Sequence, residues 1–282
     1  MTQAYGFIPC PTDPCAFHNP KTGVRLALVV DDLLVRGKGE EVRKVMGAMQ
    51  QSFTCTEPNY LTLDTPIDFM GFRLSMTEEE GQVCYWMDQE GDVKQFLIDH
   101  GIDLGGARVE CPMPSREAMF RDSTSLLAGE EITAYKSLVG SMSWFASSLR
   151  WDCVHAVSRL QMGMHEPTRG MMGAAMRVAA YIGQTQGFRL GGARVHGENT
   201  FEFYTDSDFA GDRLMTKKSR TGVVILLNSV PIYWMSRPQP KTVYSPAAAE
   251  IYALREGVRE GQAVLWVRRD LGFQGVTFPF LG

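Results

Sequence analysis

The hydrophobic and polar positions between residues 201 and 254 form three short apolar runs followed by one helical pattern. The runs cover residues 201–206, 221–227 and 232–236, and they are rich in β-branched and aromatic side chains. Asn228 and Ser229, between the second and third runs, are typical of a tight turn. This pattern predicts three consecutive antiparallel strands, a β-meander.

A helix is predicted directly after the meander. Ser245 is a good N-cap residue and Pro246 suits the first helical position, where its missing N–H is not needed. Beyond it the apolar residues recur at spacings typical of an amphipathic helix of about five to seven turns, namely Ile251, Leu254, Val258 and Leu265. We expect this helix to lie across the meander.

Two carboxylates stand where these elements meet. Asp206 ends the first apolar run and Glu250 lies in the first turns of the helix. Two such groups brought together suit a hard divalent cation, which prefers oxygen ligands. Taken singly, an aspartate at a strand end is more often a turn former, and a glutamate in a first turn more often complements the helix dipole. Asp208 and Asp212 are interpreted as solvated.

The N-terminal region shows a second pair of carboxylates. Residues 24–30 predict a buried strand and residues 33–35 its antiparallel partner, which leaves Asp31 and Asp32 at the hairpin tip. Adjacent carboxylates in an apolar hairpin are costly unless cations neutralise them. Such a pair can hold magnesium against nucleotide phosphates, although an Asp-Asp pair is also common in ordinary turns.

The region between the two carboxylate pairs is predicted to be mostly helical. Helices are expected at 40–53 and 93–100, a hairpin at 71–76 and 83–87, and a Gly- and Pro-rich connection at 101–124. Further helical patterns follow at 135–142, 151–160 and 171–185, and a glycine-rich stretch at 187–199 leads to the meander.

The overall charge does not indicate a basic protein. The chain has 282 residues and a formal net charge of −4, so any nucleic-acid binding must rely on local patches. One patch between residues 213 and 241 contains six basic residues and no acidic one: Arg213, Lys217, Lys218, Arg220, Arg237 and Lys241. Lys217, Lys218 and Arg220 are the candidate nucleic-acid contacts. The alternative is a solvated hairpin edge guarded by lysines.

The sequence gives little support for a zinc site, for disulfide bonds or for a membrane-spanning segment. The six cysteines show no zinc-site spacing, and free thiols in a reducing compartment are the simpler assumption. No apolar stretch reaches the roughly 18 residues that cross a bilayer. We therefore expect a soluble chain with no membrane partner. The sequence does not indicate its location, with a cytoplasmic and a nuclear setting both left open. Its oligomeric state is not indicated.

The C-terminal motifs resemble the ribonuclease H domain of copia-type retrotransposons. The matching segments are 204–212 (YTDSDFAGD), 219–222 (SRTG), 231–234 (PIYW) and 249–254 (AEIYAL), in the family's order. The resemblance implies that Asp206 and Glu250 are metal ligands of a nuclease that uses two magnesium ions. It also implies a third carboxylate on the strand after the helix. The chain ends at Gly282, so we expect this site to lack at least one ligand.

The N-terminal and central motifs resemble the reverse transcriptase of the same family. The matching segments are 13–17 (DPCAF), 29–32 (VVDD), 68–71 (DFMG), 135–142 and 151–160. The resemblance implies that Asp31 and Asp32 are catalytic magnesium ligands of the polymerase palm. Val29 stands where the family has a tyrosine. The family's first palm strand, with another metal-binding aspartate, would precede Met1.

Together these observations predict an α+β protein with three parts. They are a partial polymerase palm (1–105), a helical thumb and connection (106–197), and a ribonuclease H-like α/β domain without its last strand and helices (198–282). The expected function is that of an RNA-directed DNA polymerase and ribonuclease H fragment, acting with Mg²⁺ on RNA–DNA hybrids and primer-template. We expect the isolated chain to be inactive. The alternatives are a noncatalytic nucleic-acid- or partner-binding relic that uses the basic hairpin 213–241, and a chain that folds poorly.

Overall fold

The computed structural model describes residues 5–113, 125–193, 199–211, 218–273 and 275–277, and these form a mixed α+β structure. The strands of the described residues are β1 Ile8–Cys10, β2 Asp13–His18, β3 Arg25–Val29, β4 Asp32–Arg36, β5 Ile67–Phe69, β6 Phe72–Glu79, β7 Gln82–Asp88, β8 Arg189–Ala193, β9 Asn199–Asp208, β10 Arg220–Leu227, β11 Val230–Pro238 and β12 Val276–Thr277. The helices are α1 Gly39–Ser52, α2 Glu90–Asp99, α3 Glu130–Ser148, α4 Val154–Met162, α5 Arg169–Gln184 and α6 Pro246–Asp270.

The strands form three four-stranded sheets. Their orders are β1-β2-β3-β4, β5-β6-β7-β8 and β11-β10-β9-β12. The chain divides into two compact units built from separate segments: unit 1 comprises 1–85, 193–201 and 258–282, and unit 2 comprises 86–192 and 202–257. The predicted three-part division by sequence position stays a prediction.

Unit 1 contains the predicted N-terminal hairpin. β3 and β4 pair antiparallel from Arg25 opposite Arg36 to Val29 opposite Asp32, so two residues form the turn. The small core beneath this sheet contains Phe7, Val24, Leu26 and Met49, the last of which comes from α1. The hairpin and the following helix therefore have the arrangement that the apolar pattern predicts.

The core of unit 2 is built from α2 to α5. Its buried members include Tyr135, Met142 and Ile182, and the Tyr135 hydroxyl donates a 2.8 Å hydrogen bond to the carbonyl of Leu160. Thr168 caps α5, because its hydroxyl accepts a hydrogen bond from the N–H of Met171. The predicted helical block is confirmed.

The predicted meander is also confirmed, as β9, β10 and β11. β10 and β11 pair antiparallel, with Leu227 opposite Val230. Asn228 and Ser229, which connect them, have φ values of 52° and 64°, the left-handed conformation that a two-residue hairpin turn requires. β12 adds to the free side of β9 in the parallel direction.

Helix α6 begins where the sequence predicts. The N–H of Ala248 donates to the Ser245 hydroxyl over 3.1 Å. The predicted apolar stripe, however, faces solvent: Ile251 is 68%, Leu254 55% and Val258 52% exposed. The side chains that the helix buries are smaller, as the next section describes.

Some predictions fall outside the described residues, among them those for Asp212, Arg213 and Lys217. Among the helices that the structure describes, none combines the length and the apolar character that a membrane crossing requires.

Candidate functional site

Asp31 and Asp32 lie at the tip of the β3–β4 hairpin. Val30 and Asp31 form the turn and Asp32 is the first residue of β4. Both carboxylates are exposed. Val30 has a φ of 52° and is 88% exposed, so a β-branched residue occupies a left-handed position without burying its side chain. The sequence prediction for this tip agrees with its position in the fold.

The tip suits a hard cation by the chemistry of its donors. Magnesium in proteins is commonly held by one or two carboxylates together with water and substrate phosphates. Asp31 and Asp32 supply two carboxylates that are open to solvent and to a ligand. Within the described ranges, no group of three or more His, Cys, Asp or Glu side chains is placed to hold a metal.

The second candidate region lies in unit 2, where α6 packs on the meander. Buried Gln239 fixes the start of this helix, because its side-chain amide donates to the Thr221 hydroxyl over 3.1 Å and to the Ala249 carbonyl over 3.0 Å. Ala249 and Ala253 are completely buried. Small residues allow the helix to approach the sheet closely.

α6 lies very close to the meander at Gly257. A Cβ atom at this position would overlap Cγ2 of Thr205 on β9 and would lie 3.9 Å from Val223 on β10. Thr205 and Val223 therefore face α6, and the helix can lie at this depth only because residue 257 has no side chain.

Glu250 is exposed and reaches β9 through Ser207. The Ser207 hydroxyl donates a 2.8 Å hydrogen bond to Glu250 Oε1. Sequence analysis did not single out Ser207. The signal was present in the strand alternation, because residues 205 and 207 must share one face of β9.

Asp206 lies between these two residues and is exposed. Since Thr205 and Ser207 both face α6, the alternation of β9 directs Asp206 to the opposite face of the strand. The described contacts of Glu250 lead to Ser207 and not to Asp206. Asp206 is therefore directed away from the face of β9 on which Ser207 contacts Glu250.

The side of the meander opposite α6 is occupied by α4. Arg220 is 4% exposed, and its guanidinium donates to the hydroxyl of Ser158 over 2.8 Å and to the carbonyl of Ser236 over 3.2 Å. It also contacts the sulfur of Met162. Because these bonds join α4 to β10 and β11, we interpret Arg220 as a structural residue rather than as a surface contact.

The remaining basic residues of the hairpin differ in their availability. Arg237 forms an ion pair with buried Glu256 on α6, and Lys218 is partly buried. Lys241 is exposed. Among the described members of the basic patch, Lys241 is therefore the most accessible to a ligand.

Burial also shifts pKa values in the helical part of unit 2. Burial raises the pKa of the Cys153 thiol and of the Tyr181 hydroxyl, each to about 12. Both lie near buried Arg150, which forms an ion pair with Asp152 over 2.8 Å. Because a raised pKa keeps both groups neutral at pH 7, neither is an activated nucleophile.

Comparison with known proteins identifies relatives along almost the entire chain. The chain is 31% identical over an alignment of 294 residues to the retrovirus-related Pol polyprotein from transposon RE1 of Arabidopsis thaliana, which covers 98% of this chain. It is 27% identical, over an alignment of 278 residues that covers 95% of this chain, to the retrovirus-related Pol polyprotein from transposon RE2 of the same plant. The chain spans 18% of the length of each relative. No family model matches it.

Proposed function

Because the chain is related to copia-type retrotransposon Pol polyproteins and corresponds to a segment of them, we propose that it derives from the reverse transcriptase and ribonuclease H part. Its ligand is then an RNA–DNA hybrid or a primer-template. One observation chiefly supports the proposal. The alignment with the Pol polyproteins includes the β3–β4 hairpin, and the tip of this hairpin exposes Asp31 and Asp32.

The residues at the hairpin tip would hold a divalent ion. Asp31 and Asp32 present carboxylate oxygens on an exposed turn, where phosphates of a nucleic acid can share the same ion. A bound magnesium ion neutralises charge on the phosphoryl oxygens during transfer. The strands β3 and β4 fix the turn that carries the two carboxylates, because Val29 and Asp32 are directly paired across the hairpin.

The second carboxylate pair, Asp206 and Glu250, does not support hydrolysis. Glu250 on α6 accepts a hydrogen bond from the hydroxyl of Ser207, and strand alternation directs the neighbouring Asp206 to the opposite face of β9. A two-metal site needs carboxylates that converge on ions about 3.5–4 Å apart. We therefore propose that hybrid cleavage by this chain stays at the uncatalysed background, and we derive no hydrolytic step through this pair.

The first experiment measures binding and turnover together. A labelled RNA–DNA hybrid is titrated with the full chain in the presence of Mg²⁺ and again with EDTA, after a cooperative melt has shown that the chain is folded. Primer extension and hybrid cleavage are recorded on the same samples. The test variant is Asp31→Asn with Asp32→Asn. The control is Asp64→Asn, which removes one exposed carboxylate of unit 1 far along the chain from the hairpin tip.

The expected result is hybrid binding that Mg²⁺ strengthens, with this gain lost in the double variant and kept in the control. Extension and cleavage should not exceed the protein-free blank. Turnover that Glu250→Gln abolishes would contradict the proposed inactivity. Binding that is insensitive to EDTA and to both variants would instead favour a noncatalytic binding relic.

A further inference from the structure

Three arginine side chains of unit 1 surround one aromatic ring. The guanidinium carbon of Arg25 lies 3.7 Å from the centroid of Phe273, that of Arg268 lies 5.1 Å away, and that of Arg36 lies 5.9 Å away. All three distances are within the roughly 6 Å range of a cation–π contact. Three positive charges therefore share one ring.

Two of these arginines also oppose each other directly across the hairpin. Arg25 on β3 and Arg36 on β4 are register partners, and like charges at directly opposed positions are destabilising. Burial, then the charges of Arg36 and Arg268, lower the pKa of Arg25. Neutral residues at these two positions would not repel each other. An anion bound between Arg25 and Arg36 would reduce their repulsion.

The two guanidinium groups retain unused donors. Arg25 donates to the carbonyls of Leu271 over 2.7 Å, Gly23 over 3.2 Å and Gly272 over 3.2 Å. A guanidinium has five N–H donors, so these three bonds leave two. Arg36 is exposed, and within the described part of the chain it has no hydrogen bond or ion pair. All five of its donors are therefore available.

The acidic residue close by on α6 is already engaged. Asp270, two positions after Arg268, accepts hydrogen bonds from the hydroxyl of Thr12 over 3.0 Å and from the Arg269 guanidinium over 2.8 Å. Its carboxylate is therefore not the counter-charge of the exposed arginine.

We propose that Arg25 and Arg36 form a phosphate-binding site that contacts the phosphodiester backbone of a nucleic acid. The planar fork of a guanidinium matches the oxygens of a phosphate and binds them through paired hydrogen bonds. Arg25 is held in place by its three backbone bonds, and Arg36 is free to adjust to the ligand. The site shares with the proposed function the assumption that the ligand is a nucleic acid, but it requires no divalent ion.

The test measures how binding depends on salt. A labelled RNA–DNA hybrid is titrated in EDTA at several salt concentrations with the full chain, with Arg36→Gln and with Arg43→Gln. Arg43 is an exposed arginine of α1 in the same unit and serves as the matched control. Arg36→Gln should reduce the slope of log Kd against log salt by about one. Arg43→Gln should leave the slope unchanged.

A melt without nucleic acid separates binding from folding. Since Arg36→Gln removes one of the opposed charges, its Tm at low salt should equal or exceed that of the unmodified chain. Equal slopes for the two variants, a lower Tm for Arg36→Gln, or failure of the hybrid to bind would each overturn the site. Failure of the magnesium proposal appears instead in the variants of Asp31 and Asp32 and leaves this slope intact.

Discussion

Ser207 on β9 donates a hydrogen bond from its hydroxyl to Glu250 Oε1 on α6 over a distance of 2.8 Å. This bond fixes the carboxylate of Glu250 against the end of the strand that carries Asp206. It also occupies one of the oxygens that a metal ion would use, so Ser207 competes with any cation for Glu250.

Removing the Ser207 hydroxyl should therefore have a small effect on stability. Glu250 is exposed and Ser207 is half-buried, so Ser207→Ala is expected to lower the free energy of unfolding by about 0.5–1 kcal/mol. Urea denaturation measures this change. Ser207→Thr keeps the hydroxyl and is the control. A Ser207→Ala variant as stable as the unmodified chain would indicate that the bond does not persist in solution.

Adding a side chain at Gly257 should lower the free energy of unfolding more than removing the Ser207 hydroxyl does. Alanine is normally favoured in helices, but a Cβ at position 257 would overlap Thr205, and such overpacking costs about 1–3 kcal/mol. Gly257→Ala is thus expected to destabilise the chain in urea denaturation.

Two further variants test whether the overlap with Thr205 causes this destabilisation. Gly140 is an exposed residue of α3, and a Cβ there meets nothing within 4 Å, so Gly140→Ala should stabilise the chain by about 0.5–1 kcal/mol. Thr205→Ser removes the overlapping methyl group and should rescue Gly257→Ala. An unrescued double variant would assign the loss to another contact.

Replacing Val30 in the β3–β4 turn by glycine should stabilise the chain. Valine at a φ of 52° is strained, and it is 88% exposed, so little packing is lost on its removal. Val30→Gly should raise the free energy of unfolding by about 1 kcal/mol. Val30→Ala retains a Cβ and should show no comparable gain. A destabilised Val30→Gly variant in thermal and urea melts would mean that the valine contributes contacts of its own.

Asp270 should make the stability of the chain sensitive to acid. Hydrogen bonds from Arg269 and then from Thr12 lower the pKa of this carboxyl. A carboxyl whose pKa is lower in the folded state contributes stability above its unfolded pKa of about 3.9 and loses that contribution as the pH falls through the folded value. Asp270→Asn should therefore be less stable than the unmodified chain at pH 7, and the difference should shrink below about pH 4.

The measurement for Asp270 is the urea midpoint recorded between neutral and strongly acidic pH. Asp64→Asn is a suitable control, because Asp64 is exposed and, in the described ranges, its carboxylate accepts no hydrogen bond. A difference between Asp270→Asn and the unmodified chain that does not change with pH would assign the effect to lost packing.

Local chemistry made much of this fold predictable. The Asn228-Ser229 turn, the Ser245 cap and the hairpin around Asp31 each depend on neighbouring residues alone, and the structure has all three. β8 was not predicted, since its Arg-Leu-Gly-Gly-Ala sequence reads as a loop and its strand conformation depends on pairing in a sheet.

In α6 the apolar periodicity of the sequence predicts the wrong buried face. An apolar stripe normally marks the buried face of a helix, but Ile251 and Leu254 are exposed, whereas Ala249 and Ala253 are buried. Here the closeness of helix and sheet decides which face is buried, and a search for large apolar residues does not detect it. The same tertiary geometry determines the partner of Glu250, which the sequence alone could not supply.

The β3–β4 hairpin carries opposite charges at its two ends. Asp31 and Asp32 lie at the tip, and Arg25 and Arg36 face each other at the base, a distance of about 14 Å for four residue steps along a strand. The hairpin therefore behaves as a permanent electric dipole. In the field of a polyanion this dipole would experience a torque that turns the arginines towards the polymer and the aspartates away from it. Divalent ions bound at the tip would neutralise the aspartates and allow both ends to approach.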